Sequence, residues 1–368
     1  MDRTSKIIRT SIVGVVVNVL LATFKAAVGA IAGSVAIIMD AVNNLSDVLS
    51  SLITIVGAKL STKPADREHP FGHGRIEYFS AIIIAIIVLF AGATSFVESV
   101  KKIIEPTDPV YTKTTLIVVS VAIVVKILLG RFVKRSGEEL KSDALIASGS
   151  DALFDAAITL STLISAAIML IWNISIDGYL SAAISCVILK AGFEMLASPV
   201  NELLGARISP ELVSQLKQDV LNVEGVHGVF DIILHNYGPN VIIGSLHINV
   251  YDTMDAHQIH GLTRCISEMV YAKYGIILTI GVYAVSTGNN KRTELQTCVM
   301  QALAKHKEIV QVHGFYYFEK QNRVSVDIVP DISVKDEAAL EAKLTSELKA
   351  LLPAGMEITV IVDHNYSA

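Results

Sequence analysis

Six apolar stretches precede residue 200, at about residues 7–31, 34–60, 78–100, 114–130, 144–171 and 178–196. Each is near or above the ~20 residues that carry an α-helix across a ~30 Å hydrocarbon core. With 52% hydrophobic and only 18% charged residues and a mean hydropathy of +0.54, the chain is too apolar for an ordinary soluble protein. It is also too charged to lie wholly in a membrane, so a membrane part and a water-soluble part are expected. The net charge of -5 leaves no basic surplus, which argues against nucleic-acid binding. Cys186, Cys265 and Cys298 form no CxxC pair, so neither a disulfide framework nor a thiolate metal site is indicated; they read as small buried hydrophobes. The basic start, residues 1–9, leads into an apolar run too long for a signal peptide and without a small-residue cleavage site. It reads as the first membrane helix.

Six spans place both termini on one side. Arg3, Lys6 and Arg9, then Lys59, Lys63, Arg67 and Arg75, then Arg131, Lys134, Arg135 and Lys141 share that side, which the excess of cations makes cytoplasmic. Lys101, Lys102 and Lys113 in the third-to-fourth connection weaken the asymmetry without reversing it.

After Pro199 the pattern changes. Ser209-Pro210 opens a helix to about residue 222, alternating segments 229–235 and 241–250 flank the turn Tyr237-Gly-Pro-Asn240, and a helix over 255–273 precedes a strand over 276–283. This α-β-β-α-β order predicts a small α+β domain with helices on one face of a sheet. Matching Val226-His227-Gly228 with Val312-His313-Gly314, an offset of 86, suggests a second copy. It would contain a helix over 293–307, strands over 315–320 and 323–329, a helix over 335–352 and a strand over 357–362, with Asn289-Asn290-Lys291-Arg292 as linker. The expected domains are therefore 1–206, 207–286 and 287–368.

Two polar clusters interrupt the apolar runs, Asp40-Ala-Val-Asn43-Asn44-Leu-Ser-Asp47 and Asp151-Ala-Leu-Phe-Asp155. A carboxylate in a spanning helix costs about 2.5–3.5 kcal/mol even on lenient insertion scales, so it usually turns inward and serves ions or protons. Asn43 and Asp47, like Asp151 and Asp155, are four residues apart and lie about 40° apart on one helical face. If the second and fifth helices pack together, three carboxylates and an amide oxygen converge. Oxygen donors suit Mn²⁺, Mg²⁺ or Ca²⁺, whereas imidazole and thiolate favour Zn²⁺ or softer ions, and none of the 10 histidines falls in an expected span. Without metal the carboxylates repel one another and favour proton uptake, and a divalent cation reverses this. The alternative is that these aspartates cap or pack helices, as Asp143 near the start of the fifth helix is expected to do.

The segments Ser34-Val-Ala-Ile-Ile-Met-Asp40-Ala-Val-Asn43-Asn44-Leu-Ser-Asp47 and Ser142-Asp-Ala-Leu-Ile-Ala-Ser-Gly-Ser-Asp151-Ala-Leu-Phe-Asp155 resemble the second- and fifth-helix signatures of the cation diffusion facilitator family. The resemblance runs from the N-terminus to about Ser286. It implies six transmembrane helices followed by a cytoplasmic ferredoxin-like domain, in a homodimeric exporter of the plasma (inner) membrane that moves divalent metal outward against protons by alternating access. Zinc members usually carry histidine with aspartates at the four-ligand site, so Asn43 and Asp151 here look like the manganese-type bacterial branch. The resemblance assigns Asn43, Asp47, Asp151 and Asp155 as transport ligands to Mn²⁺, with Asp40 and Asn44 as outer partners, proton relays or simple packing. No resident cofactor is implied. Zinc, iron, cobalt or cadmium export by the same fold is one alternative, and a metal-sensing membrane protein with vestigial transport is another.

Family members can also bind metal in the loop between the second and third helices, here at Asp66, His69 and His73; the bland reading is a turn stiffened by Pro70, Gly72 and Gly74. In the first soluble domain His247 and His260 best match a family site, although Phe230 and Tyr283 stand near where ligands are expected, and surface histidines are the competing account. His313 and His364 look too sparse for a site in the second copy, which is expected to aid dimerisation or sensing. An enzyme is not indicated: no Gly-rich phosphate loop follows a strand and no Ser/His/Asp order sits on a suitable scaffold.

Overall fold

The computed structural model describes residues 3–32, 35–105, 113–172, 176–238, 241–288 and 290–364. Residues 1–206 belong to one compact unit, and 207–236 with 241–368 to another.

The first unit contains the long helices α1 (Arg3–Ala32), α2 (Val35–Ser61), α3 (Ile76–Ile104), α4 (Lys113–Leu140), α5 (Asp143–Trp172) and α6 (Asp177–Leu204). Among the described residues, four stretches are long and apolar enough to cross a membrane: Arg3–Val28, Ile76–Ile104, Asp143–Ser165 and Gly178–Leu204. Outward positions are apolar, with Phe90 70%, Leu128 64%, Val187 62% and Phe193 64% exposed, a surface suited to lipid and unsuited to water.

The helices pack chiefly as α1 on α2, α3 on α6 and α4 on α5, and α2 also meets α5. Small residues set the α4–α5 distance: a Cβ on Gly149 would lie 2.4 Å from the Lys134 backbone nitrogen, and one on Gly130 2.8 Å from Leu153 Cγ. Larger residues would push the backbones apart. Arg3 ties three helix ends together, donating to both Glu77 oxygens at 2.8 Å and to the Leu140 and Lys141 carbonyls at 2.8 Å.

Two details depart from the sequence reading. Helix α6 runs through Pro199 to Leu204, although proline removes a helical N–H. The chain stops only where Gly205, at φ 95°, takes the left-handed conformation, and Gly205 and Ala206 donate to the Glu202 and Asn201 carbonyls. The cysteines are not core residues, since Cys186 and Cys265 are exposed and Cys298 is half-buried; they sit on outward faces of their helices.

The second unit holds two successive α-β-β-α-β sets. The first is α7 (Pro210–Leu221), β1 (Gly228–Asn236), β2 (Ile242–Tyr251), α8 (Ala256–Tyr274) and β3 (Ile276–Val285); the second is α9 (Lys291–Leu303), β4 (Ile309–Phe318), β5 (Arg323–Pro330), α10 (Glu337–Leu351) and β6 (Glu357–Val362). Each sheet has the order first–second–third strand, with the first pair antiparallel and the second parallel. Local chemistry places the helices. Ser209 caps α7 with Pro210 following, Asp255 and Gln258 form a reciprocal capping box at α8, and Asn290 and Asp336 cap α9 and α10. The cores repeat too: Leu216, Ile248 and Ile266 are fully buried in the first set, Ile328 and Leu344 in the second, each such side chain worth about 1.5–3 kcal/mol over exposure.

The strand register corrects the offset of 86. Phe230 stands opposite His247 before a bulge in β1, and His313 opposite Asp327 before a bulge in β4. Asp231 (φ 52°) and Gly314 (φ 62°) are the left-handed residues of these bulges. The equivalent of Phe230 is thus His313, a spacing of 83, and His313-Gly314 lies within a strand that starts at Ile309, six residues before the expected 315. Helix α9 correspondingly ends at Leu303, before the expected 307.

Candidate metal centre

Asp47 on α2 and Asp155 on α5 converge on one side chain of α4. Between them stands a residue the sequence reading passed over: Lys126 of α4 places its Nζ 3.0 Å from Asp47 Oδ2 and 2.6 Å from Asp155 Oδ2. All three side chains are substantially enclosed, Lys126 at 7% exposure, Asp47 at 10% and Asp155 at 33%. Two carboxylates and one ammonium make a charge-assisted cluster in which Lys126 offsets one of the two negative charges; any one alone would be costly to hold there. Asp151, one turn before Asp155 on α5, lies within the electrostatic reach of Asp155, Asp47 and Lys126.

The side chains of Asn43 and Asp40 lie outside the described residues. Asn44 is fully buried and accepts a hydrogen bond from Lys25 Nζ at 3.4 Å, so it pairs with α1. Asp143, expected as a cap, begins α5 and accepts from the Ser198 hydroxyl at 3.3 Å. Lys25 and Lys126 carried a readable signal, a lone basic residue inside an apolar stretch, to which the rule that exposed the aspartates applies equally.

The loop between α2 and α3 gathers Asp66, His69 and His73, with ligand atoms all within 4.8 Å of one another. Asp66 lies 3.3 Å from His69 Nδ1 and 3.6 Å from His73 Nε2. The hydrogen bond from Lys63, with those of the His69 backbone and ring, holds its carboxyl well below the usual range. The set can serve a cation, and it also closes the turn, because the Glu68 and His69 amides bond to Asp66 Oδ1.

In the second unit, His247 and His260 are not brought together. His260 is exposed on α8 and among the described residues joins neither ligand cluster. His247 stacks on Tyr283 with ring centroids 4.5 Å apart and meets Asp231 at 3.0 Å. Asp231 is the centre of a larger group: Tyr283 donates to it at 2.7 Å, and His313 Nε2 lies 2.8 Å away. His313, set aside on sequence as too sparse, is therefore part of a cluster. Burial works against the Asp231 carboxylate, but His247, His313 and Tyr283 outweigh it and hold its pKa well below the usual range. Burial likewise would lower the His313 imidazole, yet Asp231 and the further carboxylates Asp327 and Asp363 raise it. Burial pushes Asp327 up to about 6.

The cation efflux transmembrane domain matches residues 11–204, over half of the chain, and the cytoplasmic domain of cation efflux proteins matches residues 208–282. The chain belongs to the cation efflux family. It is similar to an uncharacterized transporter of Methanocaldococcus jannaschii, 29% identical over 266 residues covering 71% of this chain and 91% of the relative. The manganese efflux system protein MneP of Bacillus subtilis is 25% identical over 238 residues, 62% of this chain and 80% of that protein. The magnetosome protein MamB of Paramagnetospirillum magneticum is 26% identical over 224 residues, 61% and 76% of the respective chains. The protein is thus a membrane-spanning transporter for divalent cation efflux and not an enzyme. The match to the cytoplasmic domain ends at residue 282, so α9 to β6 lie beyond it.

Proposed function

We propose that this cation efflux protein exports Mn²⁺ from the cytoplasm in exchange for protons by alternating access, with Asp47, Asp151, Asp155 and Asn43 as the transport ligands. The observation that carries the reading is the convergence of Asp47 and Asp155, from two helices, on one positive charge. A divalent cation entering between them takes over the pairing that Lys126 supplies, and the ammonium turns away. On release, the ammonium and protons return to the carboxylates, so the empty carrier recrosses with its charge neutralised. The oxygen-only ligand set favours manganese over softer ions, and manganese efflux is the named role of the Bacillus relatives.

All six long helices span the plasma membrane in this reading, including α2 and α4, with both termini cytoplasmic. The domain over residues 207–286 is ferredoxin-like and holds two protomers together, in keeping with its match to the cytoplasmic domain model. Residues 287–368 form a second domain of the same design, as the repeated strand order supports.

The test is Mn²⁺ and Zn²⁺ flux into proteoliposomes under an imposed pH gradient. Asp155→Ala is expected to reduce Mn²⁺ flux by about a hundredfold or more, since even partners outside the ligand set of a metal site are worth about 10–100-fold. Unchanged manganese flux in that variant removes the site assignment, flux indifferent to the pH gradient removes the proton coupling, and faster zinc than manganese transport removes the specificity.

A further inference from the structure

The two bulged strands of the second unit face each other across its two sheets. On the first sheet, Phe230, His247 and Tyr283 surround the β1 bulge. By strand register their counterparts on the second sheet are His313, Asp327 and Asp363, because His247 pairs with Gly281 as Asp327 pairs with Ile361, two residues before Tyr283 and Asp363. One set is mainly aromatic and the other is one imidazole with two carboxylates. The sets touch, with the Phe230 and His313 rings stacked at 5.4 Å and Tyr283 5.8 Å from His313.

Asp231, pushed out of the β1 ladder by its left-handed backbone, crosses to the second set. His313 Nε2 is 2.8 Å from Asp231 Oδ1 and 3.5 Å from Asp363 Oδ2, and one ligand atom from each of the three lies within 4.8 Å of the other two. The His313 side chain has no exposed surface. Its Nε2 meets no full hydrogen-bond geometry among the described residues and faces Asp231 as a charge pair. A buried imidazole nitrogen aimed at two carboxylates has the arrangement of a metal ligand. In a tetrahedral site with bonds of about 2.0–2.2 Å, donor atoms stand ~3.4 Å apart, between the 2.8 and 3.5 Å that separate His313 Nε2 from the two carboxylates.

The surroundings serve the same end. Gln311 Nε2 lies 3.2 Å from His313 Nδ1 and fixes the orientation of the ring, keeping Nε2 turned toward the carboxylates. Gly314 clears the approach of Asp327, whose Oδ2 would lie 2.0 Å from a Cβ at that position.

We propose that Asp231, His313 and Asp363 bind a divalent transition-metal ion, with Asp327 beside it, and that the ion joins the first α+β domain to the second. One nitrogen and several oxygens suit Zn²⁺ or Mn²⁺. The site is separate from the transport ligands and stands whether or not the transport reading does.

The test uses the full chain in detergent carrying Asp155→Ala, His69→Ala and His73→Ala, so that the membrane cluster and the loop cluster no longer contribute. Bound Zn²⁺ and Mn²⁺ are counted by equilibrium dialysis, and zinc X-ray absorption reports the ligands. One ion per chain with a single imidazole is expected, and His313→Gln or Asp363→Asn should weaken it by about a hundredfold. Binding unchanged in both variants, or no ion bound by the parent, overturns the proposal. Should His313→Gln disturb the fold by circular dichroism, Asp363→Asn decides, because its side chain sits just past the end of β6 and is 29% exposed.

Discussion

The membrane unit gathers its carboxylates around an ammonium, whereas the second unit gathers its own around an imidazole. In the first, Lys126 lies 3.0 and 2.6 Å from two aspartates; in the second, His313 lies 2.8 and 3.5 Å from two others. An ammonium on a flexible four-carbon stem carries its charge and can swing out of the cluster, but it does not ligate metal while protonated. Imidazole can ligate directly. Under the two proposals, the difference suits a site that exchanges its cation each cycle against one that keeps it.

Lys126 gives the most forceful way to break this contrast. Replacing it with Met removes the tethered competitor for Asp47 and Asp155, so the KM for Mn²⁺ should fall by about tenfold, equivalent to ~1.4 kcal/mol. Turnover should slow because the emptied site has lost its own counter-charge. Flux assays that show a raised KM with unchanged turnover would make Lys126 a packing residue. In the second unit the corresponding insult is Gly314→Val, which puts a branched side chain at φ 62° and into Asp327 Oδ2. A loss of about 2–3 kcal/mol is expected, read as faster hydrogen exchange of the β4 and β5 amides; no change there would mean that the bulge is not required.

The two regions also differ in how far their sequences reveal them. The long helices and the Asp47/Asp155 pair were legible because a charge inside an apolar run is costly wherever it occurs. Lys126 was overlooked because one lysine barely lowers the hydropathy of a long window, although the same cost applied to it. The α-β-β-α-β order was legible from alternation and from caps such as Ser209 and Asp255. The position of β4 was not, since the match of Val312-His313-Gly314 to Val226-His227-Gly228 competed with the true register. That register depends on bulges at Asp231 and Gly314, and an aspartate with positive φ leaves no signature in sequence. For the same reason the approach of His313 to Asp231, 82 residues away, became visible only in three dimensions.

Asp327 provides the finest test, because its protonation separates the empty cluster from the filled one. Burial, with Asp231 and Asp363 adding to it and His313 opposing, raises its carboxyl from the ordinary 3.8 to about 6. Between these values the folded chain holds a proton that the unfolded chain has released, so stability must fall as pH rises through this window. For a half-buried carboxyl, solvent screening keeps the effect below the ~3 kcal/mol that the full gap would give. Asp327→Asn abolishes that penalty but also removes a partner of His313, leaving a net gain of about 1–2 kcal/mol at neutral pH. His313, where the neighbouring carboxylates outweigh burial and raise the pKa, adds a second, coupled contribution: its stabilisation is complete below 6.5 and is lost as pH climbs through the higher folded value. With chelator present, hydrogen exchange of β5 across pH 4–8 should therefore show two declines in the wild type and only the upper one in Asp327→Asn. Added Zn²⁺ should suppress both declines in the wild type, since a bound cation takes over the stabilisation of the carboxylates. Declines that persist unaltered under saturating Zn²⁺ would mark the cluster as an ion-pair network that clamps the two sheets without metal.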